Sequence, residues 1–266
     1  MTTSTTIHEF EDAAALGRAL ATVIADDIQQ RLPQTGRYIL GCPGGRTPTS
    51  TYAALAQEVA ARQLDLSGLI IAMMDDYVRW DGHRWQHIDI EAHNSCRKFA
   101  YQQIQAVLNA EIPAEHAIGK DNVWFPDPAD PAAYDDRLRA AGGIDFFLLA
   151  SGAGDGHVAF NPPGSPVTSG TRIVALAEQT RRDNLHTFPQ FAGLDEVPTH
   201  GVTVGIATIS EFSRAAAMIL IGANKREAFA HLTAGTTYDP QWPATVYHLV
   251  HDAALWVDSG AGRQHQ

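Results

Sequence analysis

The sequence predicts an α/β fold, a three-layer α/β/α arrangement around a mostly parallel sheet, and three observations carry that prediction. The apolar runs at 38–40, 69–74 and 144–150 are continuous rather than alternating, as in strands buried on both faces of a parallel sheet. Each run stops abruptly at a glycine-rich or acidic turn. Segments with amphipathic helical spacing lie between them, and alternating strands and helices build a parallel sheet covered on both sides.

In chain order, Leu16, Leu20, Val23, Ile24 and Ile28 repeat with the spacing of one helical face, and Pro33 and Gly36 then mark a turn at 33–36. The strand at 38–40 runs into Gly41-Cys42-Pro43-Gly44-Gly45, and a helix follows over 48–62 with Tyr52, Leu55 and Val59 on one face. The strand at 69–74 ends in Asp75-Asp76-Tyr77, ahead of an irregular stretch at 80–94 and another at 127–131. The strand at 144–150 ends in a loop running from Ser151 through Gly152, Gly154 and Asp155 to Gly156 and His157. Further strands are predicted at 172–176, 201–206, 215–221 and 255–258, with a helix after Gly222-Ala223-Asn224-Lys225. Thr208 to Glu211 reads as a capping box at a helix start. No repeat or linker tract divides the chain, so one domain over 1–266 is expected, with functional groups at the carboxyl ends of the strands.

The 266 residues are 45% hydrophobic and 18% charged, a globular balance that excludes a mostly disordered chain. With 19 Lys+Arg against 30 Asp+Glu, the formal net charge of −11 repels nucleic acid and anionic lipid. A small phosphate ester can still bind where local cations and backbone N–H groups overrule the global field. Cys42 and Cys96 are too few for a disulfide framework or a cysteine zinc site. There is no basic stretch followed by an apolar one at the N-terminus and no long apolar run, so a cytoplasmic protein without membrane partners is expected.

Gly44-Gly45-Arg46-Thr47-Pro48 is the best anion candidate. Glycines let N–H groups converge, Thr47 is placed to cap the following helix, and Arg46 adds charge. It lacks the Lys-Ser/Thr pair of a Walker loop. Asp75 and Asp76 stand where a buried strand ends, and adjacent like charges with partial burial raise a carboxyl toward the range useful to a base. The spacing of Gly152, Gly154 and Gly156 does not fit a dinucleotide fingerprint, but Asp155 two residues before His157 can orient an imidazole for proton transfer. His83, His87 and His93 lack the rest of a metal ligand set, so neither a metal nor a cofactor is expected. Arg172, Arg181, Arg182, Lys225 and Arg226 are cations at predicted loops or strand ends that could clamp a phosphate.

In this order the segments 40–52, 74–77, 155–161, 197–206 and 221–225 resemble the glucosamine-6-phosphate deaminase/isomerase and 6-phosphogluconolactonase superfamily, nearer its deaminase branch. The resemblance spans nearly the whole chain. It implies a modified Rossmann-like fold and a hexose phosphate held by the glycine turn, Ser165, Arg172 and Lys225, with Asp76 beside them. It also implies that Asp75 shuttles a proton between C1 and C2 of the open sugar, while His157, oriented by Asp155, helps open the ring. Family deaminases often assemble, so a homo-oligomer is an open expectation.

The chain departs from the deaminase pattern where Phe-Asn-Glu-Pro is usual and it reads Phe160-Asn161-Pro162-Pro163. His186 and Val174 stand where basic residues are expected, and the Gly44 to Pro48 turn is closer to the lactonase form. The leading expectation is conversion of a glucosamine 6-phosphate-type substrate to a ketose phosphate (fructose 6-phosphate) and ammonia. The alternatives are hydrolysis of 6-phosphogluconolactone and sugar-phosphate binding without turnover.

Overall fold

The computed structural model describes residues 6–262. Strands β1 (Thr6–Phe10), β2 (Tyr38–Cys42), β3 (Leu69–Met73), β6 (Val123–Trp124), β7 (Ile144–Ala150), β10 (Ser213–Leu220) and β11 (Asp252–Asp258) form a seven-stranded sheet in the order β1-β11-β10-β7-β2-β3-β6. Every pairing in it is parallel. Continuous apolar runs suit these strands because successive side chains enter opposite layers. Leu69, Ile71 and Met73 of β3 join one core while Ile70, Ala72 and Met74 join the other, and Ala215, Ala217 and Ile219 of β10 alternate with Ala216, Met218 and Leu220 in the same way.

Helices α1 (Ala13–Thr35) and α2 (Thr49–Arg62) cover one face, together with the helix at 96–108, which comprises α3 (Cys96–Phe99), a π turn and α4 (Ala106–Leu108). On the other face pack α5 (Ala132–Ala140), α7 (Ile206–Phe212), α8 (Arg226–Thr233) and a 3-10 helix at Pro243–Leu249. The three-layer α/β/α expectation therefore holds.

Three local expectations are corrected. Helix α1 continues through Pro33 and ends only at Gly36, whose φ of 72° and N–H bond to the Leu32 carbonyl close the last turn. Pro33 and Gln29 are both exposed, so the carbonyl that proline leaves unpaired faces water. Val23 sits at the edge of the apolar face and is 41% exposed. The helix near Thr208 begins earlier, at Ile206, and the Thr208 hydroxyl accepts the Gly205 N–H at 3.2 Å from its third position.

A second sheet was not legible. Strands β4 (Asp75–Trp80), β5 (Trp85–His87), β8 (Arg172–Ala175) and β9 (His200–Thr203) form an antiparallel sheet in the order β5-β4-β9-β8. Much of the stretch read as irregular is thus a hairpin. Met74 still bonds to Cys42 of the main sheet, but Asp75 pairs with Thr203 and Thr203 with Arg172. The chain changes sheets at the residue where the candidate base begins, and the ladder with β9 fixes that residue's backbone.

Candidate active site

From β2 the chain passes to β3 and β6 on one side, whereas β10, β11 and β1 lie beyond β7 on the other. The boundary between β2 and β7 is therefore a topological switch point, where the loops after the strands splay apart. A cleft of about 420 Å³ opens there, lined by Gly44, Gly45, Arg46 and Thr47 after β2, Asp75 after β3, Gly152 and His157 after β7, and Lys225 after β10. Its volume suits a small molecule.

A Cβ on Gly44 would come within 2.5 Å of Cys96 Sγ and 2.9 Å of Asp75 Oδ1, so only glycine lets the turn pass this closely. Among the described residues no backbone carbonyl accepts from the N–H groups of Gly45, Arg46 or Thr47, which leaves them free for an anion at the start of α2. The Arg46 guanidinium lies 6.0 Å over the Phe188 ring. Thr47 does not cap the helix as expected. Pro48 occupies the capping position without a side-chain bond, and the Thr49 hydroxyl closes the turn on the Arg46 carbonyl at 2.7 Å.

Lys225 Nζ donates to the Ser151 carbonyl at 2.6 Å and so crosses from the β10 loop to the β7 loop. Burial lowers its pKa, against the opposing charges of Asp183 and Asp155. The ammonium retains donors for a ligand, since Ser151 takes one of three.

Asp75, on the cleft wall, is 5% exposed. Burial pushes its carboxyl from 3.8 to about 7; Asp76 adds to the rise, and hydrogen bonds from the Cys96 thiol and the Gly44 N–H restrain it. A carboxylate with that affinity for a proton can accept one from carbon and return it near neutrality.

Nearby, His157 Nδ1 lies 2.6 Å from Asp155 Oδ1, and the His157 backbone N–H donates to the same oxygen at 3.2 Å. The Thr180 hydroxyl is 3.3 Å from Asp155 Oδ2 and from His157 Nδ1. Burial raises the Asp155 pKa, but its hydrogen bonds and the His157 charge more than offset this and hold it below 3.8. An ionised Asp155 at Nδ1 fixes the ring and leaves Nε2 as the nitrogen available for proton transfer. Gly152 makes the approach feasible, because a methyl there would overlap both Asp155 Oδ1 and His157 Nδ1. Ala159, also on the cleft wall, holds a φ of 52°, a strained value for a residue with a side chain.

Three residues implied as ligand contacts lie outside this cleft. Asp76 is fully buried and faces away from it. It accepts the N–H groups of Tyr77 and Cys96 and Arg97 Nε at 3.0 Å, with His87 Nδ1 at 2.8 Å. Consecutive strand residues point to opposite faces, which separates it from Asp75. Arg172 donates to Asn161 Oδ1 at 2.9 Å and to the Gly170 carbonyl, and its other nitrogen is 3.4 Å from Ser165 Oγ. Ser165 in turn donates to the Pro162 carbonyl. Ser165 lies in the loop before β8 and Arg172 opens that strand, so Arg172 turns to this loop and does not join Lys225 at the glycine turn.

The remaining basic candidates are also engaged elsewhere. Arg181 holds the Leu194 and Val197 carbonyls, Arg182 pairs with Glu178, and Arg226 donates to Gly260. Among the described residues no metal-holding group of three or more His, Cys, Asp or Glu forms, and His83, His87 and His93 do not converge.

The sequence reading missed one whole wall. Helix α6 (Glu178–Thr187) presents Thr180, Asp183, Asn184 and Thr187 to the cleft, a polar stripe at i, i+3, i+4 and i+7. That period was visible, but it resembles a solvated helical face. Cys96 was missed as well, since a lone cysteine at the start of a helix gives no signal beyond burial.

The family model described as glucosamine-6-phosphate isomerases/6-phosphogluconolactonase matches residues 11–256. The chain belongs to this family. Among its relatives, a glucosamine-6-phosphate deaminase of Mycolicibacterium smegmatis is 32% identical over 250 residues, covering 93% of this chain and 89% of that one. A solved monomeric glucosamine-6-phosphate deaminase superposes with a TM-score of 0.79 at 26% identity, covering 96% and 98% of the two chains. A 6-phosphogluconolactonase from Leishmania guyanensis shares the fold, with a TM-score of 0.71 at 16% identity over 99% of this chain and 100% of that one. The deaminase branch is favoured by identity.

Proposed function

We propose that the protein is an amino-sugar-phosphate deaminase/isomerase that converts glucosamine 6-phosphate to fructose 6-phosphate and ammonia. The observation that carries this reading is Asp75, a buried carboxyl raised to about 7 in the same cleft as the Asp155–His157 pair. Such a group suits proton transfer between adjacent carbons, because a buried base holds its proton away from solvent until the second carbon takes it.

In this reading the phosphate binds the free N–H groups of the glycine turn together with Arg46 and Lys225. His157 moves a proton between the anomeric hydroxyl and the ring oxygen, which opens the ring to the aldehyde. Asp75 then removes the C2 proton and an enolamine forms. Return of that proton to C1 gives an imine at C2. Water adds there and ammonia leaves, producing the 2-ketose. The deaminase names of the relatives, together with identity over nearly the whole chain, support the substrate assignment.

Pro162, in place of the carboxylate that the deaminase pattern carries, favours one second reading, lactone hydrolysis with His157 activating water. Incubation with glucosamine 6-phosphate, galactosamine 6-phosphate and 6-phosphogluconolactone, following ammonia and acid release, separates the two. Ammonia and fructose 6-phosphate from the first substrate support the deaminase reading. Acid from the lactone alone would replace it.

A further inference from the structure

Cys96 is 4% exposed and lies in the cleft wall between the two aspartates. Ser95 caps the first turn of α3 by accepting the Lys98 N–H, and this fixes the Cys96 backbone. The Cys96 N–H donates to Asp76 Oδ1 at 3.1 Å, and its thiol sits between the two carboxyls, within hydrogen-bonding reach of both Asp75 and Asp76. Gly44 makes room for the sulfur, since a Cβ there would sit 2.5 Å from Sγ.

We infer that Cys96 is a positioning residue for Asp75: its S–H, opposite the Gly44 N–H, holds the carboxylate toward the cleft and sets how tightly it keeps a proton. The inference deepens the reading of Asp75 as the base and rests on it.

The other groups around Asp75 cannot take this part. Asp76 on β4 faces the opposite way and is engaged by Arg97 and His87. Tyr77, on the same strand, is buried with its ring 4.8 Å from that of Phe160. Arg46, His157 and Lys225 share the cleft, but none donates to Asp75 among the described residues. A thiol suits the position for two reasons. Burial and the neighbouring carboxylates push its pKa well above 9.0, so it stays a proton donor throughout the range in which Asp75 titrates. It is also a weak donor, so it orients the carboxylate without making it a poor base.

The test is the pH dependence of ammonia release between pH 5 and 9 for wild type, Cys96→Ser and Cys96→Ala. Activity requires ionised Asp75 and therefore rises with pH. The stronger hydroxyl donor is expected to move that rise to lower pH and the methyl group to higher pH, giving the order Ser, Cys, Ala. Loss of one hydrogen bond moves a carboxyl by roughly half to one pH unit, so Cys96→Ala is expected to be about 3- to 10-fold slower at pH 6. Above pH 8.5 it should be within about twofold of wild type, with KM unchanged.

A purely structural cysteine would give losses uniform across pH, with Ser and Ala moving together, and either result overturns the inference. If Cys96→Ala does not fold, the direction moved by Cys96→Ser decides. A carbon-13 NMR titration of the Asp75 carboxyl, identified by its absence in Asp75→Asn, reads the same order without turnover. A protein releasing no ammonia would thus overturn the proposed reaction and leave the Cys96 test standing.

Discussion

Replacing Asp75 with Asn should disable the enzyme and stabilise the fold at the same time. In the unfolded chain the carboxyl titrates near 3.8, whereas in the folded protein burial holds it near 7. The folded state therefore binds one more proton between those values, and wild-type stability falls as pH rises through the window. A difference from 3.8 to about 7 corresponds to roughly 4 kcal/mol, with a slope of about 1.4 kcal/mol per pH unit inside the window. Asn keeps the shape and does not ionise. Urea unfolding of both proteins from pH 4 to pH 9 should show the variant gaining stability over wild type up to about pH 7, with the gap then levelling off. The same variant should lose about 100- to 10,000-fold in kcat. A gap independent of pH, or one closing as pH rises, would show that Asp75 is not a buried, proton-retaining carboxyl.

Three further substitutions separate the roles. Gly152→Ala drives a methyl into Asp155 Oδ1 and His157 Nδ1, and turnover should fall at least about 100-fold with a wild-type far-UV circular dichroism spectrum. Lys225→Ala should raise KM for the sugar phosphate by about 10- to 100-fold, while Arg172→Ala, outside the cleft, should leave KM within about threefold; equal KM effects would restore Arg172 to the phosphate site. Asp76→Ala strips the acceptor from Arg97 and from two backbone N–H groups, so denaturant unfolding should report a loss of about 3 kcal/mol or more.

The parallel layers were legible because burial on both faces leaves runs such as 69–74 and 144–150 with no polar interruption. The glycine turn, Asp75, His157 and Lys225 come together in one cleft, with Asp155 bonded to His157, for a related reason: each follows a strand of the parallel sheet, and the fold gathers the ends of those strands at one place. The small antiparallel sheet was not legible. Its strands are short, and its β4–β5 hairpin is rich in Trp, Arg and His with no clean alternation. Missing that sheet also left Asp76 beside Asp75 in the expected site, since only once 75–80 is read as a strand do consecutive residues take opposite faces; Arg172 was placed by the resemblance alone. Asp76 shows the consequence most clearly: a neighbour of Asp75 in sequence, it anchors Arg97 away from the cleft. The α6 wall needed tertiary information, since a polar helical stripe faces water unless something packs over it.

The most direct test of the central claim uses glucosamine 6-phosphate carrying deuterium at C2. If the buried Asp75 carries the proton from C2 to C1, ammonia is released and part of the fructose 6-phosphate formed holds deuterium at C1, and Asp75→Asn abolishes both. Ammonia release at the wild-type rate in Asp75→Asn, or a product whose C1 hydrogen comes entirely from solvent, would contradict the account.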